Sequence, residues 1–310
     1  MRFERFDDVL EEKLENLLRN IDRQKEIFVW GYGEGGELVY NLLRSKGIMR
    51  LEIVDSACEN NSLEIKKPDY LRGVDPNEAI LLLCMKNSRE VEDILEALGF
   101  QKDSNYFSMA EQVFGDSEHV LGNRHWMEYR YGLDISANKY NREGEFVEYA
   151  PTPWQSLHKI AESIDIEEKA ALFDYGMGKG GVLVWLALEG LFQKLAGVER
   201  DEELFRTACE NFKKLEIGNV TAICSDARNI TNELDAFNYF FFFNPFLGSV
   251  FEAVLLNVVN SYKRKKRRIR IIYINTFCHE MVMASGVFKL EKQIEVNHFI
   301  PLANIYTTEI

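Results

Sequence analysis

The sequence predicts an α/β protein made of two units, each with a mostly parallel sheet between two layers of helices. Short apolar runs alternate with amphipathic segments along most of the chain, which is typical of parallel sheets with crossover helices. Glycine-rich turns at residues 31–36 and 176–181 each follow an apolar run, and an acid closes the next run in both cases. Each turn therefore predicts its own strand–turn–helix unit.

The first predicted domain covers residues 1–112 and begins with an amphipathic helix. Its next elements are a strand at 27–30, a glycine turn, a helix, a strand at 51–54 and a buried strand at 80–85. This part resembles the small Rossmann-like modules attached to bacterial sugar-modifying and surface-polysaccharide enzymes. Two interpretations stay open: a nucleotide-binding domain, or a docking domain that keeps its glycines for a tight turn.

A nucleotide site in this first domain would depend on four residues. Gly31, Gly33 and Gly36 would shape the turn so that the helix directs its N-terminus at a phosphate. Asp55, at the end of the next strand, would accept a ribose or sugar hydroxyl. The alternative interpretation gives the same residues a purely structural role.

Residues 113–153 form a connecting segment that is rich in aromatic and arginine residues. This composition is too aromatic for a free linker, so we expect the segment to pack against the folded chain. Pro151 and Pro153 restrict the entry to a helix that begins near Gln155, and Thr152 could accept a backbone N–H near the helix start.

Four landmarks follow in order in the last part of the chain. The run Phe-Asp-Tyr-Gly-Met-Gly-Lys-Gly-Gly occupies 173–181, and Glu199 ends the next strand. A third strand ends at Asp226, and the aromatic strand 239–243 ends in Asn-Pro-Phe at 244–246. The glycine turn and its acid fit either NAD or S-adenosylmethionine, and the two later landmarks favour the second.

This order resembles the class I S-adenosylmethionine-dependent methyltransferases over residues 145–310, with the domain itself at 154–310. The resemblance implies a Rossmann-like sheet with an antiparallel final strand, and the closing segment from Ile294 to Ile310 suits the final hairpin of such a sheet. It also implies cofactor contacts: the methionine ammonium for Asp174 and the ribose hydroxyls for Glu199. The remaining implied contacts are the glycine loop of Gly176, Gly178 and Gly180, and the adenine flanked by Asp226 and Ala227.

Asn244, Pro245 and Phe246 are the candidates for the reaction centre. They resemble the Asn-Pro-Pro-aromatic motif of methyltransferases that act on amino groups, in which two carbonyls orient an N–H and a ring packs against the incipient cation. Here the second proline is absent and the ring comes one position early. Nitrogen is therefore favoured as the acceptor atom and oxygen stays open. The alternative is a plain strand end with a turn-forming proline.

The segment before the helix resembles that of small bacterial methyltransferases that share features with the histone-lysine methyltransferases of the Dot1 type. This resemblance implies a flap over the methionine end of the cofactor, with Tyr149 and Thr152 in that role. The alternative interpretation is a helix cap with an aromatic staple.

Composition limits the classes of function. The net charge of −13 disfavours binding to nucleic acid or to an anionic membrane surface. Five scattered cysteines without a Cys-x-x-Cys pair, and five histidines without metal-ligand spacing, predict reduced thiols and no metal site. The charged N-terminus and the lack of a long apolar run predict a cytoplasmic protein.

The sequence therefore predicts a methyltransferase that uses S-adenosylmethionine and acts on a nitrogen or oxygen acceptor, with a small or sugar-linked molecule favoured. Two alternatives stay open. One is an NAD-linked sugar-nucleotide oxidoreductase, disfavoured because no Tyr-x-x-x-Lys pair stands in a convincing place. The other is a non-catalytic sensor of a nucleotide or of S-adenosylmethionine. A homodimer is also compatible with the sequence.

Overall fold

The computed structural model of the chain describes residues 3–56, 63–86, 89–138, 146–296 and 302–309. The chain divides into two compact units, Met1–Arg130 and Tyr131–Ile310. No helix among the described residues is long and apolar enough to span a membrane. Within the same residues, no group of three or more His, Cys, Asp or Glu side chains could hold a metal ion.

In its described residues, the first unit contains a sheet of five short strands and five helices. The strands are β1 (Glu26–Trp30), β2 (Leu51–Val54), β3 (Ile65–Lys66), β4 (Ala79–Leu83) and β5 (Tyr106–Ser108). The helices are α1 (Phe6–Asn20), α2 (Glu34–Ser45), α3 (Arg89–Ala97), α4 (Met109–Phe114) and α5 (Asn123–Tyr131). A 3₁₀ helix covers Pro68–Gly73.

The strands of the first unit pair in the order β3-β2-β1-β4-β5, and every pair is parallel. This is the order of a Rossmann-like unit, in which the strand order reverses between β1 and β4. The central strands β1 and β4 are almost wholly buried, which explains their continuous apolar sequence.

Seven strands lie in the described part of the second unit. They are β6 (Ala171–Tyr175), β7 (Lys194–Glu199), β8 (Val220–Cys224), β9 (Tyr239–Phe243), β10 (Arg270–Ile274), β11 (Phe288–Glu295) and β12 (Leu302–Thr308). The helices are α6 (Trp154–Ser163), α7 (Gly181–Glu189), α8 (Glu202–Lys214), α9 (Gly248–Arg264) and α10 (His279–Ala284). Two 3₁₀ helices, Ala227–Asn229 and Asn232–Ala236, connect β8 to β9.

The strand order in the second unit is β11-β12-β10-β9-β6-β7-β8. All neighbours are parallel except β12, which is antiparallel to both β10 and β11. This is the topology of the class I methyltransferase fold, so the predicted fold class, including the antiparallel final strand, is confirmed.

Aromatic side chains from β6, β9 and β10 build the core beneath this sheet. Tyr175 stacks on Phe242 with ring centroids 4.8 Å apart, and Phe251 of α9 stacks on Tyr273 at 5.3 Å. Both faces of β9 are buried, which explains its unbroken aromatic sequence. A rigid strand at this position fixes where Asn244 leaves the sheet.

Candidate active site

A cavity of about 240 Å³ opens at the carboxyl ends of β6, β7 and β9. This edge is where ligands bind in parallel α/β sheets. The volume is several times the roughly 30 Å³ of a water molecule, so the cavity is large enough for an organic ligand. The predicted site residues that line it are Tyr149, Thr152, Asp174, Gly176, Glu199, Ala227, Asn244, Pro245 and Phe246. Gly178, Gly180 and Asp226 are not among its lining residues.

Asp174, in strand β6, presents a buried carboxylate to this cavity. Its side chain is 2 % exposed, and Oδ2 has no hydrogen-bond partner among the described residues. Burial raises the pKa of Asp174 well above its usual range, and the nearby charge of Glu199 raises it further. A buried carboxylate without a partner is costly, so this position favours a ligand that brings a cation or a donor.

Glu199 places a second carboxylate beside the same turn. Its Oε2 accepts the backbone N–H of Gly178 at 3.0 Å, and its Oε1 accepts that of Asp201 at 2.8 Å. Burial raises the pKa of Glu199 even so. These two bonds fix the carboxylate at the cavity wall, where its remaining lone pairs can accept hydroxyl groups.

The three predicted turn glycines all adopt positive φ: +72° at Gly176, +53° at Gly178 and +78° at Gly180. A Cβ at Gly176 would lie 2.4 Å from the Cβ of Pro245, and one at Gly178 would lie 2.2 Å from Cε2 of Tyr149. The chain itself therefore fills the space that these glycines leave open. Their predicted contact with a cofactor stays a prediction.

After β8, the predicted site residue Asp226 is paired within the chain. Asp226 accepts two hydrogen bonds from the Arg228 guanidinium, at 3.0 and 2.7 Å, and one from the Arg228 backbone N–H. This partner lowers the pKa of Asp226. Ser225 and Ala227, on either side, line the cavity instead. The predicted adenine contact of Asp226 is untested, and Ser225 is an additional polar group at this wall.

Asn244 leaves β9 with a φ of +46°, a conformation that is uncommon outside glycine. Its Oδ1 is buried and has no hydrogen-bond partner among the described residues. The carbonyl of Pro245 accepts the backbone N–H of Val147 at 3.2 Å. The ring of Phe246 is 2 % exposed and packs edge-on against Tyr175 and Phe242. Of these three candidates, only Asn244 has a polar side chain, so it is the one whose side chain could accept a hydrogen bond from a ligand.

The segment 146–152 covers one side of the cavity. Phe146 forms an antiparallel bridge with Phe246, and the Arg200 guanidinium lies 4.0 Å from the centroid of its ring. Tyr149 donates its hydroxyl hydrogen to the Ile135 carbonyl at 2.7 Å. The segment is thereby tied to residues that follow β7 and β9, which is compatible with the predicted flap.

Among the cavity residues that sequence reasoning missed are the four at Phe146, Met177, Arg200 and Ser225. Three of them immediately precede or follow a predicted site residue at a strand end. Phe146 had a weaker signal, since it was one aromatic residue among several in the connecting segment. Reading both neighbours of each strand-end landmark would have found Met177, Arg200 and Ser225.

The first glycine turn shares with the second a positive φ at its first glycine and an acid bonded to the turn, but Gly33 has a φ of −82° where Gly178 has +53°. Gly31 adopts a φ of +96°, and a Cβ at Gly36 would lie 1.9 Å from the Gly31 carbonyl oxygen. Asp55 Oδ2 accepts the backbone N–H of Tyr32 at 2.7 Å. Around Gly33, no atom lies within 4 Å of an added Cβ. The residues at 57–62 and 87–88, which follow β2 and β4, lie outside the described residues.

Two of the chain's own residues cover this first turn. A Cβ at Gly35 would lie 2.5 Å from the Cβ of Leu121. The Glu34 carboxylate, in the first turn of α2, accepts the backbone N–H of Asn123, and burial raises its pKa. Its Oε1 is buried without a partner among the described residues. A carboxylate at this helix start opposes a phosphate there.

The arginine side chains of the basic run at residues 263–270 bind groups within the second unit. Arg264 pairs with Asp235 at 2.8 Å, and Arg270 pairs with Glu291 at 2.9 Å. Arg267 donates to the carbonyl oxygens of Leu234 and Phe237. These guanidinium groups therefore hold the sheet edge and its connections together.

No protein-family model matches the sequence, and no curated protein matches it. Solved structures with similar folds include a SAM-dependent methyltransferase from Aquifex aeolicus (17 % identity, 49 % of this chain, 89 % of that chain, TM-score 0.40). An rRNA methylase from Streptococcus thermophilus is 19 % identical over 50 % of this chain and 94 % of that chain, with a TM-score of 0.36. TYW2 from M. jannaschii, in complex with AdoMet, is 13 % identical over 57 % of this chain and 88 % of that chain, with a TM-score of 0.39. Each of these matches covers about half of this chain.

Proposed function

We propose that this chain is an S-adenosylmethionine-dependent methyltransferase whose cofactor binds in the cavity at the ends of β6, β7 and β9. The observation that carries the proposal is the unpaired polar set around that cavity. The buried Asp174 carboxylate and the buried Asn244 amide oxygen both lack partners among the described residues, and the fixed carboxylate of Glu199 stands between β7 and the turn.

The cofactor has matching groups for this set. Its ammonium would satisfy and neutralise Asp174, and its two ribose hydroxyls would donate to Glu199. Ala227 and Ser225 would flank the adenine, in a wall that is otherwise apolar. Segment 146–152 would close over the methionine end, in the manner expected of Tyr149 and Thr152 from the Dot1-type resemblance.

For methyl transfer, the main task of the protein would be to position the cofactor and the acceptor. When bound, S-adenosylmethionine supplies a methyl group on a positively charged sulfur, which leaves as a neutral thioether. Asn244 Oδ1 would accept an N–H of the acceptor and so direct the nitrogen lone pair along the line of transfer. Since the Pro245 carbonyl already accepts the Val147 N–H, Asn244 carries most of this orienting role. The surrounding aromatic rings would keep water away.

The acceptor is proposed to be an amine, with a hydroxyl compound second, on a small or sugar-linked molecule. Among the described residues, the carboxylates of Glu148, Asp174, Glu199 and Asp201 line the cavity together with one guanidinium, that of Arg200. This balance disfavours phosphate-rich acceptors such as nucleic acids. An NAD-linked oxidoreductase has less support, because Leu121 and Glu34 cover the first glycine turn.

Binding of S-adenosylhomocysteine to the wild type and to Asp174→Asn, measured by calorimetry, tests the cofactor assignment. A charge-assisted hydrogen bond contributes about 1.5–3 kcal/mol, so Asp174→Asn should weaken binding by roughly 10- to 100-fold. Its melting temperature should stay level or rise, because an unpaired buried charge is removed. Equal affinity in a folded Asp174→Asn variant would contradict the proposal.

Methyl transfer distinguishes an enzyme from a sensor that only binds the cofactor. Tritium from methyl-labelled S-adenosylmethionine should reach a component of a small-molecule extract with the wild type. Asn244→Ala should bind the cofactor within a few-fold of the wild type and lose the transfer. Binding without transfer to any amine or hydroxyl pool would favour the sensor.

A further inference from the structure

Strand β8 leaves one backbone edge of the second sheet unpaired. Its inner residues bond to β7: the Asn219 carbonyl accepts the Leu195 N–H at 3.3 Å, and the Ser225 N–H donates to the Glu199 carbonyl at 3.0 Å. Since backbone groups alternate along a strand, Val220, Ala222 and Cys224 direct their N–H and C=O groups outward. These outward groups have no hydrogen-bond partner in the described part of the chain.

The other sheet edges in the described residues carry features that discourage pairing. At the opposite edge of the same sheet, β11 carries Lys289, Glu291, Lys292 and Glu295 and is irregular between Leu290 and Lys292. In the first unit, the edge strands β3 and β5 have two and three residues. Charges, irregularities and short length are the usual protections of an edge. The sequence of β8, Val-Thr-Ala-Ile-Cys, has no charge and no proline.

An apolar groove lies beside this edge. The chain passes from β8 to β9 through two 3₁₀ helices, so no α-helix in that described connection covers this face of the sheet. Phe173, Thr221, Ile223 and Phe237 line the groove. Its rim carries charges of both signs, Lys194 and Lys265 beside Glu233, while Asp235 is paired with Arg264 of the same chain. A rim with both signs can complement a second copy of itself.

We infer that β8 is the interface of a symmetric homodimer, in which the β8 strands of two copies pair antiparallel about Ala222. Val220 then lies opposite the partner's Cys224, and Ala222 lies opposite its own counterpart. This register forms about six backbone hydrogen bonds, two at each paired position. On the groove face, Ile223 lies opposite the partner's Thr221, so the two apolar grooves continue into one another across the axis.

The dimer has a consequence for the cavity. Ser225 directly follows β8 and lines the cavity wall. Pairing of β8 with a second strand holds the end of this edge strand in place. The dimer therefore stiffens the wall that flanks the adenine in the proposed function.

Analytical ultracentrifugation of the full chain tests the dimer. The 36.0 kDa chain should sediment as a dimer at about 50 µM, well above the micromolar Kd common for interfaces of standard size. Ala222→Pro removes an outward N–H and leaves the β7 pairing in place, so it should weaken the dimer by at least about 100-fold. Ala222→Ser keeps the N–H and should remain dimeric. A monomeric wild type, or an Ala222→Pro variant as dimeric as the wild type, would overturn the inference.

Cross-linking tests the register even if Ala222→Pro fails to fold. Opposite residues in a hydrogen-bonded antiparallel pair have Cα atoms about 5.5 Å apart, which suits a disulfide. Val220→Cys, in a background with Cys209→Ser, should therefore give a covalent dimer through Cys224 under mild oxidation. The same variant with Cys224→Ser should give none. A wild-type dimer that resists this cross-link, or capture of another protein's strand by a monomeric chain, would contradict the proposed pairing.

Discussion

The two glycine turns of this protein share an acid that bonds to the turn, and they differ in backbone conformation and in what surrounds them. In both, an acid at the end of the second strand accepts a backbone N–H of the turn, Asp55 from Tyr32 at 2.7 Å and Glu199 from Gly178 at 3.0 Å. The second turn borders a cavity in which buried oxygens of Asp174 and Asn244 have no partner among the described residues. The first turn is covered by Leu121 and by Glu34.

This difference separates a folding signal from a binding signal. A glycine turn followed by an acid serves the local join of strand, turn and helix, because the acid satisfies an N–H that the turn leaves open. It therefore occurs with or without a ligand. Unpaired buried polar groups around an open volume are the stronger indication of a ligand, since the folded chain alone does not satisfy them.

The largest expected effect comes from replacing each of the two acids that bond to a turn, Glu199 and Asp55, by its amide. Glu199→Gln keeps an acceptor for the Gly178 N–H and loses the charge that would hold both ribose hydroxyls, so S-adenosylhomocysteine should bind roughly 10- to 100-fold more weakly. Asp55→Asn is the matched control and should change the affinity by less than about two-fold. Calorimetry measures both. A loss of affinity in Asp55→Asn would move the site to the first turn.

Alanine substitutions at Gly178 and at Gly33, each the third residue after its strand, should change the stability of the protein by different amounts. Gly178→Ala places a Cβ 2.2 Å from the Tyr149 ring at a φ of +53°, and should lower the free energy of unfolding by about 2 kcal/mol. Gly33→Ala meets no atom within 4 Å and should stay within about 0.5 kcal/mol of the wild type. Urea denaturation followed by circular dichroism compares them. Equal destabilisation by the two substitutions would show that the turns are packed alike.

The smallest expected effect is a pH dependence of the cavity. Burial raises the pKa of Asp174 and of Glu199 in the folded chain, so the folded state binds more protons than the unfolded state above the ordinary carboxylate pKa. The free energy of unfolding should therefore fall as the pH rises through that range. Melting temperatures from about pH 5 to pH 8 should show this slope in the wild type. Asp174→Asn should have a shallower slope, and an unchanged slope would contradict the assigned burial.

The sequence was sufficient for the features that depend on local pattern. The alternation of strands and helices, the four strand-end landmarks and the antiparallel final hairpin all follow from apolar runs and turn residues. The prediction of the final hairpin was the least complete, because its first strand, β11, begins at Phe288 and not near Ile294. Charged side chains on that exposed edge hide the strand pattern, since edge strands lack a continuous apolar sequence.

The sequence pattern did not predict contacts between residues that are distant in the sequence. Pro245, Tyr149 and Phe212 fill the space at Gly176, Gly178 and Gly180, and nothing in the turn sequence indicates them. The cover that Leu121 provides over Gly35 likewise depends on the packing of a segment far along the chain.

Hydrogen–deuterium exchange with and without saturating S-adenosylhomocysteine tests most directly that the second turn binds the cofactor and the first does not. Peptides that cover residues 174–181 and 199–204 should exchange more slowly with the ligand, because closing the cavity suppresses local opening. Peptides that cover residues 31–37 should exchange at the same rate in both conditions. Protection at the first turn, or none at the second, would contradict this account.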